Sequence, residues 1–169
     1  MAERELWDAY TRDGVKTGET LVRGERVPEG RDHLVCETAV RHENGNFLLM
    51  RRDLEKDAYP GWLECTAGGS ALQGEDALTC IRRELYEETG LRVEDFIPLA
   101  TIVNDVDRCL YCEFLCRTAA DPDSIRLQQG ETIAYCWVPP EELRRLYEAG
   151  DLIPPHNDLV RNVLEKVDS

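Results

Sequence analysis

Short apolar runs separated by turn residues set the organisation of this chain. Residues 5–10 and 19–22 carry strand-like patterns around a polar stretch with Gly14 and Gly18, which predicts an N-terminal β-hairpin. A loop with Pro28 and Gly30 follows. Residues 33–40 and 46–50 then read as strands around the turn Glu43-Asn44-Gly45. Tyr59-Pro60-Gly61 breaks the chain, and 62–67 resumes a short extended piece before Gly68-Gly69. A helix is expected over 74–89, with Gly90 where a C-terminal glycine belongs. Three further strands are expected at 96–103, 110–117 and 132–138. Pro139-Pro140 opens a helix that Gly150 closes, and Asn157 or Asp158 is placed to cap a last helix to Val167. Strands and helices mixed in this order predict an α/β (α+β) sandwich with one core.

The length, 169 residues, fits one domain, with 1–30 as a hairpin extension and 31–169 as the main body. Charge changes the picture further. Thirty-four acidic against 20 basic residues give a net charge of −14, which repels nucleic-acid polymers and anionic membranes as direct partners. A small phosphate-bearing molecule stays accessible if divalent cations stand between it and the protein. No apolar run approaches the ~20 residues of a membrane span, and residues 1–5 show no basic region leading into an apolar stretch, so a cytoplasmic address is expected. Any assembly is expected to be a dimer. The seven cysteines are expected to be reduced and mostly buried. Cys109 and Cys112 have the spacing of a zinc half-site, but no second such pair or His pair completes four ligands.

The candidate chemistry lies on the helix before Gly90. At 100° per residue, Glu84, Glu87 and Glu88 share an arc of about 100°. Leu78, Ile81 and Leu85 form the adjoining apolar stripe. Like charges at these spacings repel, and a hard divalent cation such as Mg2+ is their natural neutraliser. Spacing alone also allows a solvated acidic face.

The longer pattern decides between them. Gly69, Glu75, then Arg83-Glu84-Leu85-Tyr86-Glu87-Glu88-Thr89-Gly90-Leu91 matches the box G-x5-E-x7-R-E-U-x-E-E-x-G-U at all nine fixed positions across 69–91. The chain therefore resembles the Nudix superfamily (MutT-like), which implies an α/β/α sandwich with a mixed sheet. The resemblance also implies a Mg2+- or Mn2+-dependent hydrolase acting on acid anhydrides, cutting the diphosphate linkage of a nucleoside diphosphate derivative or related organic diphosphate. Carried over by position, Glu84, Glu87 and Glu88 bind metal with a backbone carbonyl at Gly68-Gly69, Arg83 holds the neighbouring glutamates, and Glu75 supports the loop–helix join.

The flanks add a second likeness. Trp7-Asp8-Ala9-Tyr10, Arg23-Gly24-Glu25, Pro28-Glu29-Gly30, His33-Leu34-Val35, Arg51-Arg52, Lys56 and Tyr59-Pro60-Gly61-Trp62 resemble the branch of isopentenyl-diphosphate isomerases and their hydrolase relatives. In the isomerases a tryptophan is followed five residues later by the catalytic cysteine; counted from Trp62, that position is Ala67. Isomerase chemistry is accordingly the alternative, alongside a non-catalytic nucleotide sensor. Arg51, Arg52 and Lys56 match basic residues that contact the diphosphate in that branch, and plain surface charge is the competing explanation. Glu131 stands where many Nudix hydrolases carry a further loop carboxylate, used as base or metal ligand, although loop glutamates are common. His156, after Pro154-Pro155, is expected to be a loop or cap residue.

Overall fold

The computed structural model describes residues 4–169. The strands are β1 (Leu6–Tyr10), β2 (Lys16–Val22), β3 (His33–His42), β4 (Phe47–Arg52), β5 (Leu63–Glu64), β6 (Ala67–Ser70), β7 (Phe96–Asn104), β8 (Cys109–Thr118) and β9 (Thr132–Val138). The helices are α1 (Ala77–Thr89), α2 (Pro140–Ala149) and α3 (Asn157–Asp168). β1 and β2 form the expected hairpin. The remaining strands form one mixed sheet in the order β5-β4-β3-β8-β7, with β6 on β3 and β9 on β4. The β3–β8 pair is parallel over ten residues, from His33↔Cys109 to His42↔Thr118.

Alternation along the central strands builds a layer on each side. Cys36 and Val40 of β3, Leu48 and Met50 of β4, and Leu110 and Cys116 of β8 meet the helix α1 through Cys80, Ile81 and Leu85. Ala39, Phe47, Leu49 and Leu115 face the other way, onto Leu143 and Leu146 of α2 and Leu159, Val160 and Val163 of α3. A sheet apolar on both faces demands helices on both, and the result is the α/β/α sandwich that the resemblance implies. The hairpin is anchored where Tyr10 bridges to Asp32 and joins the cluster of Leu34 and Cys36, and where Trp7 stacks on His33 at 4.2 Å.

β3 and β4 pair at one position, Arg41↔Phe47. Beyond it β3 takes β6 as partner, while β4 takes β5. The sheet therefore splits along this line, and the chain crosses the gap at Cys65-Thr66.

Some details depart from the sequence reading. The helix α1 begins at Ala77, not at residue 74, because Asp76 caps it by accepting from Thr79 N–H at 2.7 Å. Leu78 is 40% exposed; the buried side of α1 is Cys80, Ile81, Leu85, Glu88 and Thr89. The residue ahead of α3 is His156, which makes no side-chain capping bond. All seven cysteines are free, yet Cys112 is half-buried and Cys136 exposed. No helix among the described residues is long and apolar enough to cross a membrane.

Candidate active site

The floor of the site is the β3–β6 pairing, which sets Gly68 opposite Glu37 and Gly69 opposite Cys36. A Cβ on Gly68 would lie 2.1 Å from the Cys36 carbonyl oxygen, so backbone packs on backbone there and no side chain fits. A Cβ on Gly69 would lie 2.7 Å from the Glu84 carboxylate. The glycines thus bring the loop main chain directly against the acids of α1.

Arg83 organises those acids. Its guanidinium donates to both Glu75 oxygens at 2.7 and 2.9 Å, to Ser70 O at 3.1 Å, to Glu84 Oε1 at 2.7 Å and to Glu87 Oε2 at 3.3 Å. Glu75 also accepts from Leu72 N–H at 2.9 Å, closing the loop onto the helix. Those bonds, Glu75's first, raise the Arg83 pKa and keep it charged. The Glu84 side chain is 14% exposed, and burial pushes its carboxyl up despite Arg83. Glu88 is 9% exposed, and burial, with Glu64, Glu84 and Glu131 adding negative charge, raises it well above the usual carboxylate range. Glu87 is the outermost of the three.

The opposite wall comes from β4 and two loops. Arg52 donates to Glu64 Oε2 at 3.0 Å and to Ala58 O, holding the loop that carries Lys56. Lys56 Nζ lies 2.5 Å from Glu131 Oε2, and Asp53 N–H donates to Glu131 O at 2.9 Å. Arg51 is on the other side of the strand, exposed, and donates to Gly61 O at 2.8 Å. Arg52, Lys56, Gly68, Arg83, Glu84, Glu87, Glu88 and Glu131 line one cleft of about 330 Å3; Arg51 does not. Alternation explains this, since neighbours on a strand face opposite ways.

The inner end of the cleft holds residues that sequence reasoning missed or misjudged. His156 is half-buried, hydrogen-bonded through Nδ1 to Thr66 Oγ1, with Nε2 3.5 Å from Glu37 Oε1. Burial, then the Arg52 charge, lowers its pKa to about 4. Glu37 is pushed up to about 8 by burial, with Glu113 and Glu64 reinforcing it. At neutral pH both are uncharged. Glu37 had a signal in the sequence: it is the one charged residue in the run Leu34–Val40 of an otherwise buried strand.

The donor set is oxygen-rich, which suits hard cations such as Mg2+ or Mn2+. Glu84, Glu87 and Glu88 present excess negative charge at a wall where Gly69 leaves no intervening side chain, so the residues fit such an ion. Among the described residues no three His, Cys, Asp or Glu side chains already converge on one point. Arg83 holds Glu84 and Glu87 sideways, and ligation requires them to turn from it.

Comparison with known proteins agrees with this arrangement. A NUDIX domain model matches residues 34–163. A Nudix hydrolase of Listeria monocytogenes is 29% identical over 150 residues, covering 89% of each chain. Nudix hydrolase 3 of Arabidopsis thaliana is 30% identical over 164 residues, 89% of this chain but 21% of that protein. A Deinococcus radiodurans crystal structure superposes with a TM-score of 0.72 at 24% identity, over 93% of this chain and 98% of that one. The NUDIX domain of Shewanella oneidensis NrtR, complexed with ADP ribose, gives 0.64 at 14% identity, over 80% and 88%. The box from Gly69 to Leu91, the split sheet that displays it and these relatives together place the chain in the Nudix hydrolase family.

Proposed function

We propose that the protein is a Mg2+- or Mn2+-dependent hydrolase that cleaves the diphosphate linkage of an organic diphosphate, such as a nucleoside diphosphate derivative. The observation that carries this reading is the convergence of Glu84, Glu87 and Glu88 with Arg52 and Lys56 on opposite walls of one cleft. Glu84, Glu87, Glu88 and the Gly68 carbonyl are the groups that would hold the metal. When bound, the metal supplies neutralisation of phosphoryl charge and a water of lowered pKa. Arg83 holds Glu84 and Glu87 by hydrogen bonds within reach of the loop. Lys56 and Arg52 attract the diphosphate into a protein whose overall field repels it. Glu131 is placed at the mouth to accept a proton or to serve as a further ligand. Water adds to one phosphorus, the bridging P–O bond breaks, and the bridging oxygen leaves on the second phosphate, which takes up the charge or a proton.

Phosphate or phosphomonoester release from a panel of nucleoside diphosphate derivatives, with Mg2+ or with chelator, tests the reading. Turnover is expected only with metal, and Glu88→Gln is expected to lower it about 10²–10⁴-fold. Full activity in excess chelator, or in Glu88→Gln, would sink it.

A further inference from the structure

A second cavity of about 370 Å3 lies behind the first and shares Glu37 and Tyr111 with it. Strand register explains the shared wall. Val35 stands beside Tyr111, and Glu37 beside Glu113, across the parallel β3–β8 pair, and the side of the sheet carrying them faces the start of α3. Two carboxylates side by side on neighbouring strands repel each other, and burial raises both.

The partners of these acids are unequal. Glu113 accepts from Asn162 Nδ2 at 2.9 Å, Asp158 pairs with Arg161 at 2.8 Å and Asp105 with Arg12 at 2.5 Å. Glu37 makes no hydrogen bond among the described residues; its polar neighbour is the uncharged His156 ring at 3.5 Å. Its side chain is 8% exposed, so a nine-tenths-buried carboxyl opens into both cavities without a donor. A carboxyl that faces cavity space without a protein donor is free to accept from a ligand that brings one. Among the described residues no Lys or Arg lines the second cavity, while Glu37, Asp105, Glu113 and Asp158 do. Ile102, Val106 and Pro155 supply apolar surface. The volume falls within the roughly 300–1,000 Å3 typical of small-ligand sites.

We propose that this cavity seats the organic head of the diphosphate substrate, and accepts a neutral or cationic head bearing hydrogen-bond donors while rejecting one with an anionic group of its own. The inference rests on the diphosphohydrolase reading above and narrows its substrate class. Glu37 and Glu113 accept the head's donors, and the apolar residues pack against its carbon skeleton. The linkage to be cut then lies on the other side of Glu37, in the cleft of Glu84, Glu88 and Lys56.

Three monosubstituted diphosphates of similar size test it: 3-aminopropyl, n-butyl and 2-carboxyethyl diphosphate, assayed with Mg2+ for phosphate release. The wild-type protein is expected to favour the aminopropyl over the carboxyethyl ester at least tenfold in kcat/KM, with butyl between them. Glu37→Leu, which removes the acceptor, and Glu113→Gln, which removes a carboxylate, are each expected to shrink that ratio at least fivefold, chiefly through KM for the aminopropyl ester. The ratio is taken within each variant, so a general loss of activity or folded fraction cancels. A wild-type ratio near one, or a ratio unchanged in both variants, would overturn the head assignment and leave the hydrolase reading standing. Cleavage of none of the three would overturn both.

Discussion

Lys56 and Glu131 bond each other across the mouth of the cleft, Nζ to Oε2 at 2.5 Å, so Glu131 occupies the ammonium that an incoming phosphate would take. Both side chains are partly exposed, at 26% and 39%, and such a pair contributes at most about 1 kcal/mol. A diphosphate can therefore take Lys56 at small cost and release Glu131. Lys56→Met is expected to raise KM about tenfold with kcat less affected, because ground-state binding is removed. Glu131→Gln is expected to lower kcat with little change in KM. Steady-state kinetics of the two variants check this, and unchanged constants in both would make the residues ordinary surface charges.

The two loop glycines should fail differently. Gly68→Ala forces a methyl into the Cys36 carbonyl and the Glu37 backbone, so about 1–3 kcal/mol of stability is expected to be lost. Gly69→Ala meets the mobile end of Glu84, which can swing aside. That variant is expected to melt close to the wild type but to need more Mg2+ for half-maximal activity. Denaturant unfolding and Mg2+ titration separate the outcomes.

His156 and Glu37 give stability a pH dependence with two opposed slopes. Folded His156 stays neutral down to about 4, whereas the unfolded chain protonates it near 6.5, so stability falls as pH drops through that window. Folded Glu37 keeps its proton up to about 8, whereas the unfolded carboxyl loses it near 4.5, so stability falls as pH rises from 4.5 to 8. Arg52, Glu64 and Glu113 face the same pair and stay in place in either variant. Measured as Tm between pH 4 and 8.5, His156→Gln is expected to lose the acid-side slope and Glu37→Gln the alkaline-side slope. Parallel curves for all three proteins would show that neither group carries its assigned charge state.

Isomerase activity is not expected. Ala67, at the position of the isomerase thiol, is 1% exposed and pairs with Thr38, and no cysteine among the described residues lines the cleft. Incubation with isopentenyl diphosphate should give no dimethylallyl isomer, and thiol alkylation should leave hydrolysis largely intact. Isomer above background would refute this.

Periodicity and turn chemistry carried most of the elements, because β3, β4 and β8 are apolar on both faces and the glycines and prolines mark their ends. The box was legible for a different reason: Gly69 through Leu91 is one local segment, and its spacing alone puts Glu84, Glu87 and Glu88 on one arc. Where residues come from distant segments, the sequence was mute. His156 looked like a cap because its partners, Thr66 and Glu37, lie 90 and 119 positions away. Arg51 and Arg52 looked equivalent until the pleat of β4 turned one of them out. Leu78 fell on the apolar arc, but the buried side of α1 runs through Cys80, Ile81, Leu85, Glu88 and Thr89 and leaves it out.

The parallel β3–β8 ladder joins residues 76 positions apart, and Glu37, Glu113 and Tyr111 all stand on it. The helix α1 can form from local bonds within a short stretch of chain, but the inner end of the cleft, where Glu37 and Tyr111 stand, is incomplete until that long loop has closed. Closing it is slow compared with local helix formation. During synthesis Glu84, Glu87 and Glu88 therefore emerge before β8, which completes the cleft. The candidate cleft should be among the last parts of the molecule to become competent, and gain of the proposed Mg2+-dependent activity during refolding would report closure of the sheet, not growth of the helix.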